Sequence, residues 1–131
     1  MNHIEQLYLQ IIHNTCTQTS SNITISQDVS ISLINLAQTQ SSLPFLLPYI
    51  KDSSLLANIK YQTKLMMLNY YQIEQFTRRI ADLFDANNIS YILLKGISLA
   101  AFYPVPEYRQ LGDVDIYIND KEMFNRANAQ I

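Results

Sequence analysis

Two stretches decide the fold class: Ser90-Tyr91-Ile92-Leu93-Leu94-Lys95-Gly96, and Asp113-Val114-Asp115-Ile116-Tyr117-Ile118 downstream of it. The first is a short apolar run that ends on a glycine, which predicts a buried strand. The second alternates polar and apolar residues, which predicts a strand with one face covered. Between them, residues 97–103 read as a compact helical segment, and Pro104-Val105-Pro106 breaks it. After the second strand, Asn119 or Asp120 is placed to cap a last helix that runs to Ile131.

Upstream, the period changes from two to that of a helix. Ile4, Leu7, Tyr8, Ile11 and Ile12 predict a first helix over residues 2–16. Residues 17–27 hold turn formers and read as a loop, in which Ile23-Thr24-Ile25 is a candidate for brief extension. Asp28 is a candidate cap for a second helix with Val29, Leu33, Leu36 and Ala37 on its apolar side. Ser42-Leu43-Pro44 reads as an N-cap with proline in the first turn, opening a short helix to residue 50. Ser53 or Ser54 then caps a long helix to residue 85, on which Ile73, Phe76, Ile80, Leu83 and Phe84 form one apolar stripe. Asn87-Asn88 tolerates left-handed geometry and ends it. The expected class is α+β, with an N-terminal helical region, 1–57, before a β-α-β unit within 58–131.

The totals limit the function classes. The chain has 131 residues, 48% hydrophobic and 15% charged, a balance that suits a folded domain rather than a disordered one. A formal net charge of −2 gives no global cationic field to draw in nucleic acid. The single cysteine, Cys16, excludes an intramolecular disulfide, and with only His3 and His13 beside it no zinc site is expected. The start lacks a basic and apolar leader pattern, and the apolar run 43–50 is too short to span a bilayer. A cytoplasmic protein without membrane attachment is expected.

Chemistry concentrates in the last third. Residues two apart in a strand share a face, so Asp113 and Asp115 are expected to project together while Val114, Ile116 and Ile118 face the core. Two carboxylates held this close repel, and a divalent cation relieves the conflict. Mg²⁺ suits the pair because it takes a few carboxylates and keeps positions for water and phosphate oxygens. Gly96, at the junction of strand and helix, lets a phosphate approach the backbone. The amides of Ile97 and Ser98 are expected free at the following helix start, and the Ser98 hydroxyl is a further donor. Lys95 and Arg109 flank these parts as candidates to neutralise phosphate.

Plainer roles stand beside these. Ser98 also serves as a helix N-cap, and Lys95 and Arg109 also serve as structural partners of Asp113 or Asp115. Tyr103 and Tyr108 read as packing residues rather than base-stacking ones, and Tyr61, Tyr70 and Tyr71 as core or half-buried surface. His13 and Cys16 read as structural, and Arg78-Arg79 as a solvated face.

The run Leu94-Lys95-Gly96-Ile97-Ser98-Leu99, then Tyr103, then Arg109-Gln110-Leu111-Gly112-Asp113-Val114-Asp115 resembles the uncharacterised bacterial nucleotidyltransferase family of the polymerase-β-like superfamily. The resemblance covers about 58–131, with its sharp motifs in 93–118. It implies a strand–glycine–helix turn for the triphosphate and an Asp-x-Asp strand for two magnesium ions. Gly96 and Ser98 would then hold phosphate, Asp113 and Asp115 would bind metal and act in catalysis, and the substrate would be a nucleoside triphosphate. The turn here reads Gly96-Ile97-Ser98 where the superfamily has Gly-Ser or Gly-Gly. The superfamily often adds a third carboxylate on a later strand, and Asp120 and Glu122 follow too soon for that role. The chain therefore reads as the front of a longer protein. Two other readings stay open: a non-catalytic helical module that binds a nucleotide or a partner protein through the apolar faces of 1–50, and an antidote partner of a toxin pair.

Overall fold

The computed structural model describes residues 1–19, 23 and 25–131. The extension expected at Ile23-Thr24-Ile25 includes Thr24, which lies outside the described residues. Among the described residues the chain is mostly helical with one two-stranded sheet, an α+β arrangement. In order come α1 (His3–Thr17), α2 (Gln27–Thr39), a 3₁₀ turn (Leu43–Leu46), α3 (Ser53–Ala86), β1 (Ile92–Leu94), α4 (Ile97–Ala100), a second 3₁₀ turn (Pro106–Tyr108), β2 (Asp115–Tyr117) and α5 (Lys121–Gln130).

The helix starts are set by side-chain caps. Asn2 accepts from the Glu5 amide while the Glu5 carboxylate accepts from the Asn2 amide, a reciprocal box that opens α1. Ser26, rather than Asp28, caps α2, and Asp28 falls in the first turn, where its charge suits the positive end of the helix. Asp52, rather than Ser53 or Ser54, caps α3 by accepting from the Leu55 amide at 2.9 Å. An ionised carboxylate is the stronger acceptor for free amides at a helix start. The helix expected over residues 43–50 is only a 3₁₀ turn. Pro48 has no N–H to continue the ladder. The Ser42 hydroxyl is engaged elsewhere, 2.6 Å from the Tyr8 hydroxyl.

α3 is the spine. Its 34 residues span about 50 Å at 1.5 Å per residue. One continuous helix thus carries the chain across residues 57 and 58. Its first half contributes Ile59 to a cluster with Ile11, Leu33, Ile34, Ala37, Leu43, Leu46 and Ile50. Its second half contributes Ile80 and Phe84 to a smaller cluster with Ile89 and Ala127. Ile73 and Leu83 of the expected stripe are half-buried, but Phe76 is 50% exposed. Tyr61 is 59% exposed, against the core or half-buried placement expected of it, whereas Tyr71, at 48%, keeps half of its surface covered.

α3 ends as its asparagines suggest. Asn88 takes a φ of 55°, the Ile89 amide donates to the Phe84 carbonyl at 2.9 Å, and the Asn88 amide donates to the Asp85 carbonyl. This is the paired closure of a Schellman end, and its usual apolar contact is present because Phe84 and Ile89 share the second cluster.

β1 and β2 pair antiparallel, with Ile92 opposite Tyr117, Leu93 opposite Ile116 and Leu94 opposite Asp115. Strand, helix, strand therefore describes chain order and not a parallel crossover. β1 is also not the buried strand its composition predicts: Ile92 is 59% exposed and Leu94 46%. With one neighbouring strand and helices over one face only, alternate residues of the pair turn outward. Tyr91, Ile116 and Ile118 pack on the covered side against Ile80, Phe84, Ile89 and Ala127. The outer side carries Ile92, Leu94, Asp115 and Tyr117.

Between the two clusters, the second 3₁₀ turn lies along α3. Desolvation first, then the charge and hydrogen bond of Glu107 on that turn, pushes the Tyr71 hydroxyl above its ordinary value. Phe45 of the first 3₁₀ turn meets both Tyr103 and Tyr108, with ring centroids 6.0 and 6.2 Å apart. Among the described residues, no helix is long and apolar enough to cross a membrane.

Candidate functional site

The antiparallel register gathers the motif. With Leu94 opposite Asp115, continuing the ladder outward places Gly96 at the position of Asp113. The distances agree: a Cβ built on Gly96 would stand 3.5 Å from the Asp113 carbonyl oxygen. The glycine turn and the acidic segment are thus neighbours although the sequence separates them by α4, a 3₁₀ turn and two loop segments. Asp115 lies in β2, while Asp113 precedes the strand and is exposed. The observed strand is shorter than the expected 113–118, so strand geometry fixes only Asp115 directly.

The turn itself is strained. Lys95 has a φ of 31° and Gly96 a φ of 53° with ψ of −115°. The Gly96 conformation is one that residues with a Cβ rarely adopt. Positive φ at the non-glycine Lys95 is also uncommon and marks a segment held by its surroundings.

Contacts from three side chains surround it. The Ser98 hydroxyl donates to the Lys95 carbonyl at 2.7 Å. Arg109 donates through Nε to the Gly96 carbonyl at 3.1 Å and through a terminal nitrogen to the Tyr103 hydroxyl at 3.3 Å, with its guanidinium 5.7 Å from the Tyr103 ring centre. Lys95 Nζ lies 3.3 Å from Asp115 Oδ2, with both side chains well exposed. A pair this open to water contributes little and is readily exchanged for another partner.

The six candidates, Lys95, Gly96, Ser98, Arg109, Asp113 and Asp115, therefore form one continuous neighbourhood. Within it, Arg109 bonds to the turn rather than to either aspartate, and Ser98 closes the turn from below. The Ser98 amide, expected free, donates to the Lys95 carbonyl at 3.1 Å, because the helix opens with a tight 3₁₀-type bond. Asp113 and Asp115 are the carboxylates of this neighbourhood that could hold a divalent cation, with the Lys95 ammonium beside Asp115. No group of three or more His, Cys, Asp or Glu that could hold a metal ion occurs among the described residues.

One positioning residue was not foreseen. Asn69 of α3 donates from Nδ2 to the Leu111 carbonyl at 2.7 Å and so ties the segment before Asp113 to the spine. Its only sequence signal is a polar residue amid an apolar helix, which ordinarily marks a solvated face.

Comparison with curated proteins and with solved structures finds no match. A family model described as an uncharacterised nucleotidyltransferase matches residues 32–131. The match takes in most of α2 and everything after it, further toward the start of the chain than the motifs alone reach. It includes every residue of the turn and acidic segment described above, and the chain belongs to that nucleotidyltransferase family.

Proposed function

We propose that the neighbourhood of Gly96, Asp113 and Asp115 binds a nucleoside triphosphate with Mg²⁺ and transfers its nucleoside monophosphate to an acceptor hydroxyl or phosphate. The observation that carries this reading is the approach of the Gly96 turn to Asp113 across the sheet end. A phosphate-accepting turn beside two carboxylates is the arrangement that a metal-bound triphosphate requires. The donor chemistry fits: two hard oxygen ligands suit an ion that keeps water and phosphate oxygens as its other ligands. When bound, Mg²⁺ supplies charge neutralisation at the phosphates and lowers the barrier to attack on them.

The chain's own residues have separable tasks. Asp113 and Asp115 hold the cation. Gly96 lets the turn take its positive φ and so shapes the backbone beside which the triphosphate lies. Lys95 leaves the Asp115 carboxylate and turns to a phosphate oxygen. Arg109 acts through the turn, holding the Gly96 carbonyl so that the turn keeps its shape. The acceptor oxygen attacks the α-phosphorus in line, a hydroxyl acceptor giving its proton to water; its bond to phosphorus forms as the bond to the bridging oxygen breaks, and pyrophosphate leaves. Catalysis by such a site is mainly positioning and charge neutralisation.

The test is label transfer. The protein is incubated with Mg²⁺, nucleoside triphosphates carrying label on the α-phosphate, and an extract of the native host. The reading expects labelled acceptor and released pyrophosphate, both lost on adding a chelator and in Asp115→Asn. No transfer of α-label, or transfer of γ-label alone in a parallel incubation with γ-labelled triphosphates, would overturn it.

A further inference from the structure

A cleft opens between the end of α2, the middle of α3 and the segment that leads to Asp113. Its volume is about 350 Å³, within the range of small-molecule sites. Four carboxamides, Gln38, Gln62, Asn69 and Gln110, share its lining with the Ser41 hydroxyl. Leu43 and Leu111, both buried, add apolar surface. None of the lining residues is charged.

That composition selects a ligand. Each carboxamide offers a donor and an acceptor in one plane, which matches the adjacent donor and acceptor atoms on the edge of a nucleobase. The apolar surface suits the face of a flat ring. A phosphate or carboxylate finds no cation here, and it also meets the negative end of α2, whose last turn holds no basic residue. The position is equally specific. Leu111 lies two residues before Asp113, a span of at most about 7 Å of chain. The bond from Asn69 to the Leu111 carbonyl joins the cleft wall to that segment.

We propose that this cleft takes the nucleobase of the triphosphate whose phosphates lie at Gly96 and Asp113, a step that rests on the triphosphate reading above. Gln62 and Gln110 read the base edge, and Asn69 positions the wall.

The test separates base from phosphates by using nucleosides, which carry no phosphate. Adenosine, guanosine, cytidine and uridine are each offered to the full chain, and binding is followed by saturation-transfer NMR. At least one nucleoside is expected to bind the parent protein and Asp113→Ala/Asp115→Ala alike. Binding is expected to weaken at least about tenfold in Gln62→Leu/Gln110→Leu, from the loss of two hydrogen-bonding groups. Gln38→Leu, at an exposed position, gives a second variant, and circular dichroism melting confirms that each is folded. The bound nucleoside is also expected to be displaced by the Mg²⁺ complex of its own triphosphate. Absence of nucleoside binding, unchanged binding in both carboxamide variants, or simultaneous binding of nucleoside and triphosphate each overturns the proposal. Nucleoside binding that depends on the carboxamides, without any triphosphate binding, keeps the cleft and removes the phosphate reading instead.

Discussion

At Gly96 a backbone requirement coincides with the role proposed for it. Its φ of 53° and ψ of −115° exclude ordinary side chains on conformational grounds, while a Cβ would meet the Asp113 carbonyl only at a van der Waals distance of 3.5 Å. Gly96→Ala is therefore expected to cost about 1–3 kcal/mol through backbone strain and not through a clash. Urea denaturation of the variant measures this, and an unchanged midpoint would show that the turn relaxes freely. The sequence marked Gly96 because a glycine between a strand and a helix is a strong local signal. What it did not announce is that the Ser98 hydroxyl and the Arg109 guanidinium hydrogen-bond to the Lys95 and Gly96 carbonyls, because such partners depend on how the turn folds back. Asn69 was invisible because its partner is a backbone carbonyl far along the chain.

At the scale of elements, a helix boundary is legible where one local signal marks it: α3 ends as expected, whereas the segments expected over 97–103 and 43–50 stop at residues 100 and 46. Asn88 shows why. Its left-handed φ is set by the paired hydrogen bonds of Ile89 and Asn88 to Phe84 and Asp85, and asparagine followed by an apolar residue is a legible signature of that closure. Asn88→Gly is expected to leave thermal stability unchanged or slightly raised, whereas Asn88→Ala is expected to lower it by about 1–2 kcal/mol. Equal melting temperatures for the two variants would contradict this. Helix starts were shifted by a residue or two because Ser26, Asp28, Asp52, Ser53 and Ser54 are all acceptable caps, and tertiary fit chooses among them. The burial of β1 was misread for a different reason. An apolar run does not say how many faces of its sheet will be covered, and here the outer face leaves Ile92 and Leu94 in solvent.

Across the whole molecule, a long helix links two small cores, and aromatic contacts tie the N-terminal helices to the site. Phe45, packed in the 3₁₀ turn after α2, reaches Tyr103 and Tyr108 on the segment that ends at Arg109. Phe45→Ala is expected to cost about 3–5 kcal/mol. It is also expected to raise amide hydrogen exchange at residues 103–112 as well as within α2. Faster exchange confined to α2 would show that the site segment is held without the helical region. None of these long-range ties was readable from periodicity, which reports the face of an element and not its partner. The central claim concerns the Gly96, Asp113 and Asp115 platform, and calorimetric titration of the full chain with ATP and GTP tests it most directly. Saturable binding that requires Mg²⁺ and disappears in a folded Asp113→Ala/Asp115→Ala variant is the predicted result. Binding that is indifferent to Mg²⁺, or that persists unchanged in the double variant, would contradict it.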